Sequence, residues 1–163
     1  MWETRMDILE TIIHNKMLVA PILSWAVAQL LKTIINCILT KEFNPERLIG
    51  SGGMPSSHSA TVMGLVFAAA YCKGFGGFEF PMALTFAFIV MYDAMNVRME
   101  TGKQAFILNF FLKNEEFNKS LKDVDIKDRP KLILKEYVGH TPIQVIAGVC
   151  LGLFVGYMVC RYL

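Results

Sequence analysis

Of the three histidines in this chain, two stand in unusual surroundings. His58 lies in Gly52-Gly53-Met54-Pro55-Ser56-Ser57-His58-Ser59-Ala60, just after a turn-forming run and just before a long apolar one. His140 lies in Gly139-His140-Thr141-Pro142, again ahead of an apolar run. Imidazole serves as nucleophile, general acid or metal ligand near neutral pH. Two histidines at the mouths of two apolar helices can share one site. A helix start adds free backbone N–H groups and a dipole that favours an anion. Pro55 suits a first helical turn, and Ser56 and Ser57 supply hydroxyls. Gly52 and Gly53 let backbone approach a ligand closely. For either histidine alone a hydrogen-bonded cap is the plainer reading; the pairing is what points to chemistry. His14 gets no role.

Other polar residues interrupt the apolar runs. Gln29, Lys32 and Asn36 recur at spacings that place them on one helix face. A lysine inside a span is costly and usually faces a bundle interior or a wet cavity. Snorkelling to the interface is the alternative, but Lys32 sits about 10 Å of helical rise from the Leu39 end. An inward lysine is therefore expected. Asp93 precedes Arg98 by a little more than one turn, and Asn96 lies between them. Asp93 can pair with Arg98 or with Lys32; an ion pair that only fixes helix packing is the plainer role. Two helix starts, two histidines, a lysine and an arginine together make a cradle for phosphate.

The elements that must position these residues are membrane helices. The chain is 54% hydrophobic and only 18% charged, with a mean hydropathy of +0.43. Soluble domains carry about 25% charged residues, and here the apolar residues gather into long runs. Four spans are expected, at about 17–39, 55–73, 80–97 and 143–162, joined by a polar loop over 98–142. All belong to one all-α membrane domain. The second and third are short and carry polar residues. Ala26-Val27-Ala28 has the look of a signal cleavage site, but the apolar run resumes at Leu30 and continues to Leu39. Residues 1–16 read as an amphipathic segment on the membrane surface. Within the polar loop, Gln104 to Phe117 has helix-like spacing, 123–130 reads as a break, and 131–137 as a short helix. Cys37, Cys72, Cys150 and Cys160 lie in or beside apolar runs without metal-like spacing and read as reduced, buried packing residues.

Four spans put His58, Asp93, Arg98 and His140 on one face of the membrane. Arg5, Lys16, Lys73 and Arg161 fall on the other face, and every remaining lysine or arginine outside the first span falls on the histidine face. The positive-inside rule makes the histidine face cytoplasmic. Gly148, Gly152 and Gly156 form a small-residue ridge on the fourth span, and Ala60, Gly64 and Ala68 form one on the second. Such ridges let helices pack closely in lipid, within one bundle or in a homo-oligomer.

The Gly-Gly-Met-Pro-Ser-Ser-His-Ser-Ala run, the Met-Tyr-Asp-Ala-x-x-Val-Arg run from Met91 to Arg98, Gly102-x-Gln104-Ala105 and Gly139-His140-Thr141-Pro142 together resemble a family of small bacterial and plant membrane proteins. It is the divergent branch related to type-2 phosphatidic acid phosphatases and vanadium-dependent haloperoxidases. The resemblance covers nearly the whole chain, with the motifs in the family's order. It implies a reduced phosphatase core that uses no metal or other cofactor. His140 matches the histidine that attacks phosphorus to form a phosphohistidine, and His58 matches the general acid. An upstream lysine and two arginines would hold the phosphate. Lys41 and Arg47 are near the expected spacing, with Lys32 as an alternative lysine, but the family's Arg-Pro is Arg47-Leu48 here. The arginine expected before the second histidine is replaced by Leu134 and Lys135. The acid expected after it is Gln144, which can orient an imidazole N–H but cannot stabilise an imidazolium by charge.

Two readings follow. In the first, a membrane phosphatase cleaves a lipid phosphate or pyrophosphate: His140 attacks, His58 protonates the leaving oxygen, and Lys32, Lys135 and Arg98 neutralise the phosphoryl oxygens. Gly53, Ser56, Ser57, Asp93 and Gln144 complete the binding site. In the second, the same cradle binds a phospholipid headgroup without cleaving it, as a lipid transport or flippase-like module. A metal site on His58, His140 and Asp93 is a third, without diagnostic spacing. In either of the first two the partners are the bilayer and a phosphorylated lipid, with no nucleic acid.

Overall fold

The computed structural model describes residues 10–41, 52–114, 134 and 139–163. Its elements are helices: α1 (Lys16–Thr40), α2 (Ser57–Lys73), α3 (Glu79–Met95), α4 (Val97–Leu112) and α5 (Pro142–Tyr162). Residues 10–13 are also helical, at the edge of the expected surface segment. No strand occurs among the described residues. The chain is a helical membrane bundle. Three helical stretches are long and apolar enough to cross a membrane: Lys16–Thr40, Glu79–Leu112 and Pro142–Tyr162. The middle one joins α3 and α4, which meet at Asn96, where φ −108° and ψ −82° break the helix. Helix thus resumes at Val97, ahead of the Gln104 start expected from apolar spacing.

α2, one of the two short expected spans, has 17 residues and sits in the middle of the bundle. It packs against α1, α3 and α5. Lipid is as apolar as a leucine side chain, so helices here associate by close packing rather than by escape from water. The residues on α2 are small enough to permit it. Gly148, Gly152 and Gly156 of α5 face Ser56, Ala60 and Gly64 of α2 in turn, and the two helices run parallel. A Cβ on Gly152 would strike the Ala60 backbone carbonyl, and one on Gly148 the Ser56 carbonyl. On its other side, Gly64 makes room for Ser24 and Ala20 of α1. The α5 ridge is therefore used inside the bundle. A second cluster, Val62, Val66 and Ala69 against Ala83 and Ala87, joins α2 to α3.

The large apolar side chains point the other way. Ile22, Leu30, Phe86, Phe88, Ile146 and Phe154 are all exposed, as lipid-facing positions are. The same logic corrects the cysteine expectation. Only Cys160 is buried; Cys37 is intermediate, and Cys72 and Cys150 are exposed. With so few helices, each buries one stripe and turns the rest to lipid, so a place in an apolar run does not imply burial.

Candidate functional site

The two histidines meet where α2 and α5 begin. Their ring centroids are 5.9 Å apart, edge to face at 66°. Three features hold them there. Ser56 caps α2, its hydroxyl accepting from the Ser59 N–H and from the Ser59 hydroxyl at 3.0 Å. The Ser56 N–H donates to the Gln144 carbonyl at 3.0 Å, tying the start of α2 to the first turn of α5. The His140 N–H donates to the Ala94 carbonyl at 3.0 Å, fastening the approach to α5 onto the end of α3. Gly139 lies so close to the Met99 backbone that no side chain would fit.

His140 is 1% exposed. Its Nδ1 stands 3.2 Å from Gln144 Oε1, the oxygen that also accepts the Thr141 N–H at 3.1 Å. Because an N–H already points at that atom, it is an oxygen, and His140 Nδ1 must donate to it. A neutral ring then carries its proton on Nδ1 and a lone pair on Nε2. His140 Nε2 is buried and has no hydrogen-bond partner among the described residues; the same holds for His58 Nδ1. Burial pushes His140 below the ordinary imidazole range, and the Lys32 charge adds to that. Gln144 opposes the shift, as does the Gly53 backbone, which lies near the ring but outside hydrogen-bond geometry to Nε2. The ring is thereby held neutral at physiological pH.

Lys32 is 2% exposed and faces the bundle interior. Its ammonium donates to Gln29 Oε1 at 2.7 Å and to Ser57 Oγ at 3.4 Å. Gly53 is beside it with φ +83°, and a Cβ there would press on the lysine stem at 3.2 Å. Glycine is needed at this position both for its backbone conformation and for the lysine's passage. Arg98 Nε donates to Asp93 Oδ2 at 2.6 Å, across the break at Asn96, with both side chains partly exposed. Arg98, Lys32 and Asp93 all lie close enough to act electrostatically on the His58 ring.

Two residues were not singled out by sequence reasoning. Lys103, ion-paired to Glu100 at 2.6 Å, lines a cavity of about 290 Å³ with Met99, Gly102, Phe106 and His140. Asn109 is 3% exposed, and its side-chain amide pairs with both backbone groups of Leu134 at 2.8 Å, clamping the segment upstream of His140 onto α4. Neither position has a local sequence signal, since each depends on where the 134–141 segment returns. Lys135 and Arg47 lie outside the described residues, as do the expected break at 123–130 and most of the helix at 131–137. Lys41 is exposed and ends α1 in a left-handed cap. Among the described residues no group of three or more His, Cys, Asp or Glu side chains is placed to hold a metal ion, which removes support for the reading of His58, His140 and Asp93 as ligands.

Comparison with known proteins agrees with this architecture. The chain is 35% identical over 133 residues to the Bacillus subtilis (strain 168) protein named "Uncharacterized membrane protein YuiD", covering 77% of this chain and 82% of the relative. No solved structure matches. Residues 13–155, which include both histidines, Lys32, Asp93, Arg98 and Gln144, match the model of the divergent PAP2 family, and the chain belongs to that family.

Proposed function

We propose that this protein is a membrane phosphatase that hydrolyses a lipid phosphate or pyrophosphate through His140 and His58. The observation that carries the reading is the state of His140: Nδ1 engaged by Gln144, Nε2 bare and buried, and a second imidazole facing it. A nucleophilic imidazole needs that arrangement. A merely structural histidine more often has both nitrogens engaged by protein groups.

In this mechanism the Nε2 lone pair of His140 attacks phosphorus. The P–N bond forms as the P–O bond to the lipid breaks, and His58 gives its proton to the departing oxygen. A phosphate dianion beside His58 favours the protonated ring that this step requires. Water then attacks the phosphohistidine, with His58 taking its proton, and His140 is regenerated. Lys32 and the N-terminus of α2 offset charge on the phosphoryl oxygens, the main work in phosphoryl transfer. Arg98 contributes if the incoming phosphate draws it from Asp93. Lys135 and Lys103 are further cations for the same oxygens. No step requires a metal.

The lipid character of the substrate is supported by a groove of about 700 Å³ between α3 and α5. It runs from Phe88 and Ile89 past Val145 and Ile146 to Asp93 and Pro142. A hydrocarbon chain lying there has its headgroup beside Arg98 and His140. We take α2 as a fourth crossing and the histidine end as cytoplasmic, from the lysine and arginine count.

One observation favours a second reading. Gln144 cannot balance a positive His140, and Arg98 is already paired, so the cradle could hold a phospholipid headgroup for transport without cleaving it. Phosphate release by the purified protein in detergent separates the two. Phosphatidic acid and a polyprenyl pyrophosphate serve as substrates, with vanadate as competitor. Vanadate-sensitive turnover lost in His58→Ala and His140→Ala supports hydrolysis. Lipid phosphate binding without turnover replaces it with the binding module.

A further inference from the structure

At the end of the bundle opposite the histidines, α2 finishes at Lys73 and α5 at Tyr162. The register set by Gly148 on Ser56, Gly152 on Ala60 and Gly156 on Gly64, carried one step further, brings Cys160 to Ala68. Cys160 and Ala68 do share a buried cluster, with Ala20, Val155 and Val159. Cys72 stands one turn beyond Ala68 on the same face of α2. Its thiol is near enough to the Cys160 thiol for the two to act on one another electrostatically. Lys16, the first residue of α1, brackets the pair. Its ammonium donates to the Cys160 carbonyl at 3.0 Å and lies 5.7 Å from the centre of the Tyr71 ring, next to Cys72 in the chain. Both cysteines are free thiols, Cys72 exposed and Cys160 buried.

We propose that Cys72 and Cys160 are a redox-reactive dithiol, closed to an intramolecular disulfide by exchange with an external disulfide. The exposed Cys72, as thiolate, attacks one sulfur of the external disulfide. That S–S bond breaks, one external thiolate leaves, and a mixed disulfide forms. Cys160, losing its proton, then attacks the Cys72 sulfur and expels the second external thiolate. The protons released by the two cysteines end on the two external thiols. In sum, two protein thiols are oxidised, one external disulfide is reduced, and no other reactant is needed. The new bond ties the far ends of the same two helices whose starts carry His58 and His140. The charge count that puts the histidine end in the cytoplasm puts this end outside it, where disulfides persist. The chemistry itself does not depend on the phosphatase reading.

The test is disulfide mapping on the full-length protein in detergent. The reduced chain is titrated with oxidised glutathione, blocked with N-ethylmaleimide and digested without reductant. The expected product is one peptide pair linked through Cys72 and Cys160, with Cys37 and Cys150 alkylated and the chain still monomeric on a non-reducing gel. Dithiothreitol restores all four thiols. In Cys160→Ser, Cys72 stops at the glutathione adduct. Three outcomes overturn the proposal: all four cysteines alkylated after oxidation, a link through Cys37 or Cys150 instead, or a wild-type Cys72 adduct that never passes to Cys160. The wild-type map decides the matter even where a serine variant fails to fold.

Discussion

His140 Nδ1 lies 3.2 Å from a Gln144 oxygen that is already the acceptor for the Thr141 backbone N–H. That oxygen fixes the proton of a neutral His140 on Nδ1 and leaves the lone pair on Nε2, with the His58 ring 5.9 Å away centre to centre. Gln144 also gives its carbonyl to the Ser56 N–H, so one residue aligns both helix starts. Replacing Gln144 with leucine leaves the N–H of the buried His140 ring without its acceptor, at a cost of about 1–3 kcal/mol, and phosphate release is expected to fall roughly tenfold or more as the ring loses its tautomer. Gln144→Glu keeps the acceptor and adds the charge that an imidazolium needs, so turnover should rise. If both variants release phosphate at the wild-type rate, the orienting role is wrong.

The general acid makes a separate prediction. His58→Ala should lower phosphate release by about 10²–10⁴ while leaving vanadate binding largely intact. Turnover measured beside vanadate affinity checks this. An equal loss in both would make His58 a binding residue instead.

Lys32 tests the cradle without touching the histidines. Lys32→Met replaces a buried ammonium by an apolar chain of similar shape and leaves Gln29 Oε1 without that donor, a cost of about 1–3 kcal/mol. The variant, assayed below its lowered unfolding temperature, should bind vanadate or inorganic phosphate at least roughly tenfold more weakly, the equivalent of about 1.4 kcal/mol. Unchanged anion binding would confine Lys32 to packing with Gln29 and Ser57.

The His140 environment sets a pH dependence of stability. Burial and the Lys32 charge hold its folded pKa below the ordinary value of 6.5. The unfolded chain therefore takes up a proton first as pH falls. His140's contribution is fully present above about 6.5 and is lost as pH drops from there through the lowered folded value. Thermal unfolding between pH 8 and pH 5 should show the wild type losing stability on the acid side, with a shallower slope for His140→Gln. Parallel slopes would count against a neutral buried ring.

The helix contact that sets the distance between the histidines is equally open to test. Gly152→Val puts a side chain into the Ala60 backbone, which cannot move aside as a flexible side chain would. A cost of about 1–3 kcal/mol is expected, read from thermal unfolding in detergent, together with a loss of turnover. Gly76→Ala, in open space on the turn after α2, should change neither.

Much of this site was legible in the residues alone. The helix-start chemistry around His58 and His140, the small-residue ridges and a lysine too deep to reach the interface all have local signatures, because caps, periodicity and the cost of charge in lipid act over a few residues. The membrane character followed from composition, and counting four spans led to the expectation that His58, Asp93, Arg98 and His140 share one end of the bundle. Tertiary structure decided the rest. Only the parallel packing of α2 on α5 brings the rings to 5.9 Å and the Cys72 and Cys160 thiols together. Only the return of the chain over α4 gives Asn109 and Lys103 their places beside the approach to His140. Whether a cysteine in an apolar run faces a neighbour or lipid is likewise a matter of how the helices are rotated against one another. Hydropathy reports that a residue avoids water, and lipid and protein interior satisfy it equally.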